Sequence, residues 1–150
     1  MADAEAVLAG LIDRYSPDVA ALGRALIARM RDRVPQANAL VFENYNALGV
    51  GFAPGETAPQ VVLSVVLYPR WVSLFFFKGA LLDDPAGLLE GDGTIIRHIK
   101  LRDAAGFDRP EVERLIAQQL DLAEPPFDPE ARGRLIVKSI AGKRRARRPA

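Results

Sequence analysis

Four cationic or titratable side chains, Lys78, Arg97, His98 and Lys100, bracket a loop dense in Gly, Asp and Pro. A guanidinium, an imidazole and two ammonium groups all offer N–H donors, so together they suit an anion. Gly91 and Gly93, in the stretch GLLEGDG, add backbone amides that can curl into an anion-binding nest. The expected ligand site is therefore Lys78, Arg97, His98, Lys100, Gly91 and Gly93. The same loop carries Asp83, Asp84 and Glu90, an alternative oxygen set for a hard metal ion. Each group also has a simpler role. Asp83 and Asp84 before Pro85 read as a turn and cap. Arg97, among Ile95, Ile99 and Leu101, reads as a pin for loop 79–93 through a salt bridge and hydrogen bonds, because an unpaired buried guanidinium costs several kcal/mol. Strand alternation directs Arg97 and His98 to opposite faces.

Other chemistry is excluded or lacks its parts. With no cysteine there is no disulfide, thiolate zinc site or Cys nucleophile. His98 is the single histidine, which rules out a multi-histidine metal site. Ser16, Ser64, Ser73 and Ser139 are the serines, and none sits in a Gly-x-Ser-x-Gly elbow. GLLEGDG is not followed by Gly-Lys-Ser/Thr, so it is no Walker loop. No nucleophile–base pair emerges, so catalysis stays an open question that leans toward none.

The elements that must position these residues follow from periodicity. Ala4, Val7, Leu8, Leu11, Ile12 and Tyr15 have helical spacing behind Asp3 as N-cap. Ser16-Pro17 starts a second helix, with the hydroxyl as cap and Pro at the first turn. Its apolar stripe runs through Val19, Leu22, Leu26, Ile27, Met30 and Val34. Residues 39–52 read as an extended pair or one bent strand, with Gly49 and Gly51 marking a bend or bulge. Asn44, Tyr45 and Asn46 there would line a pocket or a solvent face. Runs 61–67 and 71–77 are apolar on both alternating faces, so they are expected to be central antiparallel neighbours joined at Tyr68-Pro69-Arg70. Trp71, Phe75, Phe76 and Phe77 read as core rather than as a base-stacking platform. A loop with one helical turn after Pro85 precedes a strand at 95–101. Asp108-Arg109-Pro110-Glu111 has capping-box spacing for a third helix, and 134–140 is a last strand. The sum is an α+β domain, an antiparallel sheet of about five strands with two N-terminal helices and one later helix packed on it.

At 150 residues the natural expectation is one domain, 1–142, able to bury a core without staples. The net charge of +1 is uneven. Lys143, Arg144, Arg145, Arg147 and Arg148 concentrate in 143–150, expected to be a basic flexible tail. The body is mildly acidic, so nucleic acid is expected only through that tail. Residues 61–77 are interrupted by Pro69 and Arg70 and are too short for a membrane helix. The acidic start lacks the form of a secretory signal. A cytoplasmic location is expected.

The run YPRWVSLFFFKGALLDDPAGLLEGDGTIIRHIKL resembles the YdhG-like family, a bacterial domain of unknown function. The likeness lies in Tyr68-Pro69-Arg70, Val72-Ser73-Leu74, Phe77, Gly79, Asp84-Pro85, Leu89-Glu90-Gly91, Gly93 and Arg97-His98-Ile99. The N-terminal helices, ENYNALGVGF and the GRLIVKSIAGKRRARRP ending resemble one branch of it. The resemblance implies an α+β fold with an antiparallel sheet. It also implies a frataxin-like iron chaperone role for some members, resting on an acidic ridge. Here the first helix offers Asp3, Glu5 and Asp13, with Asp18 beginning the second. The expected function is a binding module for a small anionic ligand or a polar partner. The alternatives are iron binding by surface carboxylates, and a protein-interaction or homodimerising domain.

Overall fold

The computed structural model describes residues 3–141; the expected tail, 143–150, lies outside the described residues. Helices α1 (Ala4–Ile12) and α2 (Pro17–Arg33) come first. Their starts follow the sequence: the Asp3 carboxylate accepts from the Glu5 amide, and Ser16 Oγ accepts from the Val19 amide. Strands β1 (Asn38–Asn44), β2 (Ala47–Ala53), β3 (Leu63–Leu67), β4 (Val72–Phe76) and β5 (Arg97–Leu101) follow. Then come α3 (Ala104–Phe107), α4 (Pro110–Asp121) and β6 (Leu135–Ser139). Short 3₁₀ turns cover Ala58–Gln60 and Gly79–Leu81.

The fold is α+β, with a single sheet of order β5-β4-β3-β2-β1-β6. It has six strands rather than about five, and it is mixed rather than antiparallel, because β6 pairs parallel to β1. The reason is the end from which the chain arrives. After α4 the chain returns to the entry of β1, where the Gly133 amide donates to Pro35 O and the Ala39 amide donates to Arg134 O. The later helical segment is two helices, not one. The capping box at 108–111 does not form: Asp108 closes α3 and its carboxylate pairs with Arg29 at 3.1 Å, while Arg109 is the N-cap of α4.

Residues 38–53 form a regular hairpin. Asn44 Oδ1 accepts from the amides of Asn46 and Ala47, so the Asn-Tyr-Asn stretch is the turn itself. Gly49 and Gly51 make no bulge there. Gly51 instead leaves room for Val61, whose methyls would lie 2.8 and 2.9 Å from a Cβ at that position.

One face of the sheet meets the helices. Val50, Phe52, Leu63, Val65, Leu67, Val72, Leu74 and Phe76 are buried there with Leu26, Met30, Leu115 and Ile116. Fully burying such side chains contributes about 1.5–3 kcal/mol apiece. The opposite face holds a smaller cluster, Leu40, Ala53 and Val61, flanked by Phe42, Phe77 and Ile136. Among the described residues no helix is long and apolar enough to cross a membrane.

Candidate functional site

Strand β5 sorts the expected site residues by face. Its register opposes Ile99 to Leu74 and Leu101 to Val72, so Arg97, Ile99 and Leu101 share the helix face. His98 and Lys100 share the other, opposite Phe75 and Ser73. Arg97 sits at the end of the strand, where Nη1 donates to Gly93 O at 2.6 Å and to Ile96 O at 2.9 Å. It pins the loop by hydrogen bonds alone; no carboxylate among the described residues forms a salt bridge with it. Gly93 thus presents a carbonyl to Arg97. Gly91, at φ 122°, adopts backbone that favours glycine, and lies beside Arg97 and His98.

Lys78 is drawn elsewhere. Its ammonium donates to Leu122 O at 3.2 Å and meets Glu124 at 3.4 Å, covering the C-terminal end of α4, where carbonyls lack helical partners. Its amide donates to the buried Gln119 side chain. The structure therefore brings Gly91, Gly93, Arg97 and His98 together at one end of β5, pairs His98 with Lys100 on one face, and sends the Lys78 ammonium to α4.

The acidic residues of the loop are engaged locally, Asp84 through its carboxylate and Asp83 and Glu90 through their backbone groups. Asp84 accepts from the amides of Leu88 and Leu89, and Asp83 exchanges two backbone hydrogen bonds with Gln118. Glu90 pairs its backbone with His98. Helical turn comes before Pro85, at Gly79–Leu81, not after it. No group of three or more Asp, Glu or His side chains is placed to hold a metal among the described residues. In the N-terminal helices, Asp3 caps α1, Glu5 pairs with Arg31, and Asp13 pairs with Arg24.

The face that carries His98 and Lys100 is the more informative one. Phe76 belongs to the core, but Trp71 and Phe75 point the other way. The Phe75 and His98 rings stack with centroids 5.2 Å apart. Lys100 Nζ lies 4.5 Å from the centre of the Trp71 ring, and Tyr68 packs against that ring at 5.1 Å. Burial pushes the Tyr68 hydroxyl pKa up. Between the two pairs lies Ser73, 1% exposed, whose hydroxyl finds no hydrogen-bond partner among the described residues. A buried hydroxyl without a partner costs about 1–3 kcal/mol. Ser64, the other buried serine on this face, is satisfied by Val50 O.

Sequence reasoning passed over two groups. Ser73 looked like an ordinary strand residue; its period-2 relation to Trp71 and Phe75 was the available signal. Glu43 is 4% exposed on the helix face of β1, where its carboxylate accepts from the Ala141 amide at 2.8 Å and lies 3.8 Å from Arg14. Its period-2 relation to Ala39 and Val41 was the signal there. The chain matches no protein-family model, no curated protein and no solved structure.

Proposed function

We propose that this chain is a YdhG-like binding module whose ligand is a small anion bearing a planar ring, held on the sheet face opposite the helices. The observation that carries the reading is the buried, unpartnered Ser73 hydroxyl between the Phe75–His98 and Trp71–Lys100 pairs. Trp71 and Phe75 offer ring surfaces for stacking. Lys100 offers N–H donors to an anion, because its contact with the Trp71 ring uses charge and not its hydrogen bonds. Ser73, 1% exposed between the pairs, offers a hydroxyl that gains by being satisfied once the side chains covering it part. Tyr68-Pro69-Arg70, Val72-Ser73-Leu74 and Arg97-His98-Ile99, which carry the family resemblance, make up the turn and the two strands of this face.

Trp71 is the single tryptophan and 39% exposed, so its fluorescence reports the site directly. Titration with adenosine 5′-monophosphate, benzoate and inorganic phosphate separates ring from charge. The expected result is saturable change with a ring-bearing anion, weaker change with phosphate, and at least tenfold weaker binding in Lys100→Met. If none of the three changes either the fluorescence or the melting temperature, the reading fails.

A further inference from the structure

We propose that the free edge of β5 and the groove beside it form a docking slot for an extended acidic segment of a partner protein. This slot is separate from the ring-binding face, since it is built on the backbone edge of the strand. β5 is an edge strand, paired with β4 on one side. On its outer side the His98 amide and carbonyl bond Glu90, at 2.9 and 2.8 Å, in one antiparallel bridge. Backbone groups two residues apart point the same way in a strand, so the Lys100 N–H and C=O also face outward. Neither has a hydrogen-bond partner outside the strand ladder among the described residues. The bridge at Glu90 thus begins a pairing that stops one step later.

Where it stops, a groove of about 420 Å³ opens between β5, α3 and α4. Leu88, Leu101 and Val112 supply apolar surface, and Arg102 and Arg109, the latter 3.6 Å from Glu111, supply two positive charges. The one carboxylate in the lining, Asp103, is occupied in capping the Gly106 amide. An added strand would take backbone hydrogen bonds from the edge, place alternate apolar side chains in the groove, and match the cations with its acids. This charge pattern disfavours a second copy docked at the same edge, because Lys100 and Arg102 of each copy would meet cations of the other.

The test uses the full chain and a fluorescein-labelled ten-residue peptide of alternating Glu and Val. Saturable anisotropy is expected at low salt, weakened at least fivefold in the Arg102→Glu, Arg109→Glu double variant and absent for the matching Lys-Val peptide. Amide exchange at Lys100 should slow at least tenfold on binding. N-methylation of one set, all Val or all Glu residues, should abolish binding while N-methylation of the other set leaves it, because only one set faces the edge. Loss from neither set, or equal binding of the Lys-Val peptide, overturns the proposal. So does self-association at the β5 edge seen by sedimentation. A peptide response confined to Trp71 and His98 would overturn it while leaving the ring-binding reading standing.

Discussion

Replacing Gly133 by Ala tests how the last strand is held. A methyl at this position would overlap the Ala37 carbonyl and approach the Asn38 nitrogen at 3.0 Å. Those are backbone atoms, so no rotamer change relieves the crowding. The φ of Gly133 is not positive, and crowding alone demands glycine. To accommodate the methyl, the chain must move away from β1 and release three hydrogen bonds: Gly133 N to Pro35 O at 3.0 Å, Arg134 N to Asn38 Oδ1 at 3.0 Å, and Ala39 N to Arg134 O at 2.9 Å. At about 1 kcal/mol net each, they sum to about 3 kcal/mol. Partial loss of Leu135 and Val137 packing raises the expected cost to about 3–5 kcal/mol. Urea unfolding of Gly133→Ala should show this as a lower midpoint, and amide exchange should accelerate selectively in Leu135–Ser139. The control is Gly10→Ala in α1, where a Cβ meets nothing within 4 Å. It should stabilise by about 0.5–1 kcal/mol through helix propensity. A Gly133→Ala cost below about 1 kcal/mol would refute the claim that close backbone approach seats β6.

Three further outcomes are expected. Ser73→Ala should leave the fold unharmed or stabilise it by up to about 1 kcal/mol, since it removes an unsatisfied hydroxyl, while weakening ring-anion binding; a stability loss above about 1 kcal/mol would show that the hydroxyl has a partner. Lys78→Ala should cost about 0.5–1.5 kcal/mol through the exposed end of α4 and leave Trp71 titrations unchanged, so a tenfold loss of anion affinity would return Lys78 to the site. The Glu111 carboxyl is held below the usual glutamate range, first by its own backbone amide at the start of α4 and then by Arg109. Its contribution is therefore present above the unfolded pKa and is lost as pH falls through the lowered folded value; a carbon-detected NMR titration giving an ordinary glutamate pKa would contradict this.

Much of the fold could be read before the structure, for identifiable reasons. The apolar runs 61–67 and 71–77, with a short turn between them, could hardly be anything but paired central strands. Ser16-Pro17 starts a helix because cap and first-turn requirements are purely local. Period 2 in β5 separated Arg97 from His98. What chain order alone left open was set by contacts far apart in sequence. The direction of β6 depends on which end of β1 the chain reaches after α4, and Gly133 allows that approach. Asp108, well spaced for a local cap, instead meets Arg29 on α2. Lys78 lies near Arg97 in the chain, yet the carbonyl end of α4 takes its ammonium.

The candidate site divides in the same way. Residue types raised the expectation that cations, an imidazole and glycines gather near one loop, which left Lys78 misplaced, and they showed that cysteine and a second histidine are absent. Only the sheet register placed Lys100 over Trp71 and His98 on Phe75, with Ser73 buried between them. Alternation along a strand is local, whereas which side chains meet across strands depends on register. Register is set by the whole core packing against the helices, and that is the information the tertiary structure adds.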